Sequence, residues 1–194
     1  MNVTPEQVKA FWAFMSDKYG TSAKSKIDAD EMKVVSQVLG TLGIVDQKAF
    51  MSRFVTTIGK TIYIPFTIGE ANETWSLWGQ IQVCAHEHQH VIQAIQAGEA
   101  MFFARYLLDK TYRATYEAEG YRTNMALTWW ATKAKPDITP YIKSIKSYGI
   151  DQPNVDFFER VLAMSIPVIK AGGVPDEAAR VTIKWLEENG LVGA

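Results

Sequence analysis

The stretch Cys84-Ala-His-Glu-His-Gln-His-Val-Ile-Gln93 places all three histidines of the 194-residue chain within five consecutive positions. Apolar residues at helical spacing upstream, among them Trp78 and Ile81, run directly into this stretch. We therefore predict a helix from about Thr74 to Gly98. A second helical stretch is predicted from Met101 to about Trp130, and it carries acidic residues. The histidines thus lie in the first of two long predicted helices.

His90 lies four positions after His86 in the sequence. At 3.6 residues per turn, they lie one turn apart along a helix and about 40° apart around it, so both imidazoles can bind one ion. Glu87 is about 100° from His86 and can reach a water molecule on that ion. His88, at about 200° from His86, points away. A catalytic ion would also need a third protein ligand and one open position.

Two other interpretations of the histidines stay open at this point. On a β-strand, His86, His88 and His90 would share one face and bind metal as an HxHxH motif. On a solvated helix they would be ordinary surface residues. The helical interpretation is favoured because the residues between the histidines are poor strand formers and the upstream helical pattern continues into them.

A small sheet is predicted upstream of the histidines. Val55–Ile58 and Thr61–Phe66 are rich in β-branched and aromatic residues and flank a Gly59-Lys60 turn, which predicts an antiparallel hairpin. Pro65 cannot donate a hydrogen bond to a neighbouring strand. The second strand is therefore predicted to lie at an edge of the sheet or to end at this proline.

Helices are predicted for most of the remaining chain. Thr4-Pro5-Glu6-Gln7 has the pattern of a capped helix start, and Gly20 is expected to end that helix. The predicted fold class is α+β, predominantly α-helical with one small antiparallel sheet. One domain is expected over residues 1–194. It would have N-terminal helices in 1–54, the hairpin and metal-site helices in 55–130, and C-terminal helices in 131–194.

Charge and hydropathy exclude several classes of partner. The chain has 20 basic and 21 acidic residues and no basic run, so nucleic acid is not a predicted partner. Its apolar stretches are too short to span a bilayer, so no membrane partner is predicted either. The N-terminus lacks the features of a secretory signal, which predicts a protein that is cytoplasmic when synthesised. Later release or association with a particle remains compatible with this expectation.

A strand followed by a helix that reads His86-Glu87-x-x-His90-Val91-x-Gln93, and then by an acidic residue on the next helix, resembles the gluzincin branch of the zincin metallopeptidases. The likeness is strongest to minimal bacterial and phage-associated members. It covers roughly residues 55–130. The resemblance implies a zincin-like fold and a Zn²⁺ ion held by the two histidines and a glutamate from the following helix.

In that family the glutamate often begins the pattern Glu, small residue, Asp or Asn, any residue, aromatic. Glu117-Ala-Glu-Gly-Tyr121 matches it, with Glu119 in place of Asp or Asn, so the resemblance assigns Glu117 as the third ligand. A shifted alignment gives Glu119 instead. Glu117 is preferred because it lies nearer the centre of an apolar stripe formed by Ala114, Ala118, Tyr121 and Met125.

The predicted function is peptide-bond hydrolysis by a zinc metallopeptidase acting on a peptide or protein substrate. Glu87 would be the general base that takes a proton from zinc-activated water and returns it to the leaving amine. Tyr112, Tyr116 and Tyr121 are candidates to supply a phenol to the oxyanion, but aromatic residues at helical spacing usually belong to the core. The alternative is a non-catalytic structural or effector component in which zinc stabilises the fold. Glu87 favours the enzyme, because a structural site needs no base beside its metal.

Overall fold

The computed structural model describes residues 1–41 and 46–194. In this part of the chain the elements, in order, are α1 (Pro5–Tyr19), β1 (Ser22–Ser25), α2 (Asp30–Thr41), α3 (Gln47–Arg53), β2 (Thr56–Ile58), β3 (Thr61–Ile64), α4 (Leu77–Ala97), α5 (Glu99–Leu108), α6 (Lys110–Thr132), α7 (Thr139–Ile145) with a 3-10 turn at Lys146–Tyr148, α8 (Gln152–Lys170) and α9 (Glu177–Glu188). The predicted α+β character, mostly helical with one small sheet, is confirmed.

The first helix begins and ends as its sequence predicts. The Thr4 hydroxyl accepts a hydrogen bond from the Gln7 backbone N–H, and the Gln7 side chain accepts one from the Thr4 backbone N–H. Gly20 ends the helix with a φ of 63°, a left-handed conformation that glycine adopts without strain. The apolar face of α1 packs on α4, where the Trp12 indole N–H donates to the Gln80 carbonyl.

The sheet differs from the prediction in one strand. The predicted hairpin is present, with β2 antiparallel to β3 around Gly59 and Lys60. However, β1 pairs with β3 in parallel, so the sheet is mixed and β3 is its central strand, not an edge. The sequence Ser22-Ala-Lys-Ser25 has no β-branched or aromatic residue to indicate a strand. It becomes one because the reversal at Gly20 brings it alongside β3. Strand β3 ends immediately before Pro65, which is one of the two outcomes predicted for this strand.

Helix α4 lies at the centre of the structure. Every residue from Cys84 to Ala94 is buried, because α1, α5, α6 and α9 all pack against this helix. Ser76 caps its N-terminus by accepting a hydrogen bond from the Gly79 N–H. A helix covered on all sides places its polar side chains against other elements, where each needs a partner.

The predicted helical stretch from Met101 to Trp130 is in fact two helices, so the prediction of one continuous helix is wrong. Asp109 separates α5 from α6 with an extended backbone, φ −120° and ψ 112°. Its carboxylate accepts hydrogen bonds from the N–H groups of Thr111 and Tyr112 and so caps α6. The break makes α5 a separate helix that packs against both α4 and α6. Within the described ranges, no helix has the length and apolarity needed to cross a bilayer.

A buried lysine joins β1 to the segment between α3 and β2. Lys26 is fully buried, and its Nζ donates to the Phe54 carbonyl at 2.9 Å and to the Thr56 hydroxyl at 2.6 Å. The same Nζ lies 3.5 Å from the centroid of the Phe50 ring. Burial lowers the pKa of Lys26 to about 7, although the negative charge of Glu87 opposes this shift.

This pKa makes stability depend on pH in a defined direction. Between the lowered pKa and the ordinary value of 10.5, the unfolded chain binds a proton that the folded chain does not. We therefore expect the free energy of unfolding to rise with pH between about 7 and 9.5, by on the order of 2 to 4 kcal/mol relative to Lys26→Met. Urea denaturation at several pH values measures this difference.

The exposed Lys135→Met provides the matched control and should follow the wild-type curve. Parallel stability curves for the wild-type protein and Lys26→Met would show that Lys26 keeps its ordinary pKa.

Candidate metal centre

Two helices bring three potential metal ligands together. His86 and His90 lie one turn apart on α4, and Glu117 lies opposite them on α6, the helix packed most extensively against α4. One ligand atom from each side chain lies within 4.8 Å of the other two, and all three residues are buried. This group can hold a metal ion.

Two of the donor separations are close to those found around a small ion. His86 Nε2 is 3.6 Å from Glu117 Oε2, and His90 Nε2 is 3.5 Å from Glu117 Oε1. Ligands about 2.0–2.1 Å from a tetrahedral zinc ion lie about 3.3 Å from one another. In the described part of the chain, Glu117 Oε2 is buried without a hydrogen-bond partner. A buried carboxylate oxygen in this state is suited to binding a cation.

The electrostatics of the group also favour a cation. Burial raises the pKa of Glu117, but its interactions with His86 and His90 lower it by a larger amount, so the net pKa lies below the ordinary value. For His90, burial lowers the pKa, whereas Glu117 raises it to a net value of about 9. The carboxylate therefore holds positive charge on the His90 imidazole, and a metal ion would compete with that proton for the same position.

Gln93 and Glu119 hold His90 in position from behind. His90 Nδ1–H donates to Gln93 Oε1 at 2.8 Å, which leaves Nε2 free to face Glu117. The Gln93 amide donates in turn to Glu119 Oε2 at 2.7 Å and to the Tyr116 carbonyl. Both of these are acceptors, so they fix the orientation of the amide. Glu119, the alternative ligand of the sequence analysis, thus lies behind the histidine and outside the group of donors.

Asn124 and Gly120, both on α6, position His86. The Asn124 amide nitrogen lies 3.4 Å from His86 Nδ1, and in the described structure Asn124 Oδ1 is buried without a partner. Exchanging the amide nitrogen and oxygen lets Oδ1 accept from Nδ1–H, which leaves Nε2 free as a ligand. A Cβ on Gly120 would lie 2.6 Å from His86 Nε2, so only glycine leaves room for the ring.

Tyr106 fixes the third donor. Its hydroxyl donates to Glu117 Oε1 at 2.6 Å, and it reaches this carboxylate from α5. Tyr112, Tyr116 and Tyr121, which the sequence analysis considered as phenol donors, do not line the cavity at the site. Tyr121 instead donates to Ser144, and Tyr116 packs on Phe102.

Glu87 lies beside the three donors but is not one of them. A cavity of about 240 Å³ is lined by His86, Glu87, His90 and Glu117. Glu87 Oε2 accepts a hydrogen bond from the Thr57 hydroxyl at 2.7 Å, which connects it to β2. A carboxylate with one anchored oxygen at a cavity wall is placed to exchange a proton with a molecule inside the cavity.

His88 faces away from the donors, as predicted. Its Nδ1–H donates to the Cys84 carbonyl at 2.7 Å, and its Nε2 accepts from the Thr21 hydroxyl at 3.0 Å. The helical conformation of α4 overturns the HxHxH alternative, and the burial of all three histidines overturns the surface alternative.

Sequence reasoning did not identify Gln93, Asn124 and Tyr106 as supports of the site. Two of them had a usable signal, since Gln93 is three residues after His90 and Asn124 is seven after Glu117, both on the same helix face as these donors. Tyr106 had none, because its approach depends on the break between α5 and α6.

No family model, curated protein or solved structure matches this chain.

The two glutamates of α6 should respond differently to substitution. We expect the wild-type protein to bind about one zinc per chain and Glu117→Gln to lose at least 100-fold in affinity, because a ligand charge is removed. Glu119→Gln should weaken binding by no more than about tenfold, since its amide oxygen can still accept from Gln93. Competition with a chromophoric chelator measures both affinities. The reverse order would exclude Glu117 as the third ligand.

Gly120→Ala should disturb the centre without unfolding the protein. The added methyl group displaces the His86 ring, so we expect metal affinity to fall on the order of 10- to 100-fold while the helical circular dichroism is retained. Gly79→Ala on α4 is the matched control, because its added Cβ would meet only the Ser76 hydroxyl, at 3.1 Å. Equal metal affinity in the two variants would show that the space at Gly120 does not matter.

Proposed function

We propose that this chain is a zinc-dependent metallopeptidase with a zincin-like fold, in which Glu87 is the general base. The observation that carries the proposal is a non-ligand carboxylate, Glu87, that shares one cavity with a buried group of two histidines and one glutamate. Catalytic zinc sites of the His₂Glu type have this donor set and keep one position open. The proposal therefore rests on the chemistry of the donor atoms and not on similarity to another protein.

Each residue has a separate task in this mechanism. His86, His90 and Glu117 hold the ion, and Tyr106, Gln93 and Asn124 keep the donors oriented. Bound zinc would lower the pKa of a water molecule toward neutrality and polarise the substrate carbonyl. Glu87 accepts a proton from the water molecule that attacks the carbonyl carbon. It then delivers this proton to the amine nitrogen as the peptide C–N bond breaks, so one residue both takes up and returns the proton.

A scaffold that uses zinc only for stability is the competing function. Structural zinc sites are usually closed by four protein ligands, whereas the described residues supply three donors beside a cavity. Such a scaffold would also need no acid next to its metal. Both features support the enzyme.

Glu87→Gln separates the two functions. The amide keeps the volume of the side chain and can still accept from Thr57, so we expect unchanged metal content and a nearly unchanged melting temperature. Cleavage of a peptide library, followed by mass spectrometry, should fall at least 100-fold because the proton acceptor is lost. The exposed Glu70→Gln is the matched control, and the double variant His86→Ala, His90→Ala is the metal-free reference.

Cleavage by Glu87→Gln at the wild-type rate would remove the general-base role. Loss of zinc or unfolding of this variant would identify Glu87 as a structural element and favour the scaffold.

A further inference from the structure

The cavity beside the donors has mostly apolar walls. Its volume is about 240 Å³, below the range of pockets that enclose whole drug-sized ligands. A cavity of about 150 Å³ with similar walls takes up benzene, so this one has room for one large side chain. The apolar lining comes from α2, α3, β2, α5 and the residues just before β2, and includes Val34, Phe50, Phe54, Ile58, Phe102 and Phe103.

Away from the metal donors, the walls offer no free charge to a ligand. Among the described residues, the charged side chains that line the cavity, apart from the two histidines of the metal group, are Glu87, Glu117 and Arg113. Arg113 is buried and its guanidinium donates to the carbonyls of Tyr106, Leu107 and Tyr148, so it is already engaged. Glu117 belongs to the metal group, and Glu87 lies beside it with one oxygen held by the Thr57 hydroxyl. A charged ligand group in the apolar part of this space would lose its hydration without gaining a new partner.

The exposed residues of the lining lie on α2 and α5, and we take the gap between them as the mouth of the cavity. Val34 on α2 is 59% exposed and Phe103 on α5 is 47% exposed, although both line the cavity. An apolar group that enters between these two side chains moves toward His86 and Glu87, which lie at the inner end. Apolar surface at the rim and apolar walls inside favour the same kind of ligand.

We infer that the site selects peptide substrates by one large uncharged apolar side chain, aromatic or branched aliphatic, which fills this cavity next to the bond to be cleaved. The inference rests on the proposed peptidase function for the bond that is cleaved, but the binding preference belongs to the cavity itself.

Hydroxamates test the preference on the zinc-loaded protein without any turnover. Phenylpropanoic hydroxamate should bind on the order of 10- to 100-fold more tightly than acetohydroxamate, because only the former fills the cavity. Hydroxamates of similar length that end in a carboxylate or an ammonium group should gain nothing over acetohydroxamate. A charged hydroxamate that binds as tightly as the phenyl compound overturns the inference.

Two further measurements keep the result independent of catalysis. Metal-free wild-type protein should take up toluene, detected by nuclear magnetic resonance, and absence of uptake overturns the inference. Val34→Glu should weaken binding of the phenyl compound at least tenfold by placing a charge at the mouth. Val168→Glu, an equally exposed position on α8, should not. Equal affinities in these two variants would overturn the placement of the mouth.

The two proposals fail in different ways. Tight binding of the phenyl compound by a protein that cleaves no peptide would retain the cavity preference and reject the peptidase. Cleavage without any preference for apolar residues near the cut bond would retain the peptidase and reject the cavity preference.

Discussion

The carboxylate of Glu117 is buried between two imidazoles, and the residues around it must compensate for the hydration that it loses. Removing an ionised carboxylate from water costs several kcal/mol unless nearby positive charge and hydrogen bonds compensate. His90 supplies positive charge, the His86 ring faces the second carboxylate oxygen, and Tyr106 donates a short hydrogen bond to Oε1. The contact between α4 and α6 is therefore polar where a contact between two long helices is normally apolar.

Orientation of the donors is provided by amides rather than by charged groups. Gln93 and Asn124 each contact the Nδ1 atom of one histidine, so both rings turn Nε2 toward the carboxylate. Neutral amides hold the rings without adding a further negative charge to those of Glu117 and Glu87. A further negative charge would strengthen proton binding in competition with a metal ion. Glu119 is kept one residue further away, behind Gln93.

The parts of the fold and the site that depend on spacing along one helix could be predicted. His86 and His90 are four residues apart on a helix, and this spacing alone indicates that they can bind the same metal ion. The parts that depend on which segments meet could not. Strand β1 carries no strand-forming residues and exists only through its pairing with β3. Tyr106 reaches the site only because Asp109 ends one helix and caps the next, a role that a helical pattern does not reveal.

Hydrogen bonds also connect the centre to the last helix of the chain. The Ala178 N–H at the start of α9 donates to the Gln89 side-chain oxygen, and the Gln89 amide donates to Glu119. Glu119 also accepts from Gln93, which contacts His90. A fragment that retained only the helices bearing the donors would lack the hydrogen bond from Ala178 to Gln89. The smallest unit able to keep the imidazole rigid therefore extends to the C-terminal helix, some 90 residues beyond the histidines in sequence.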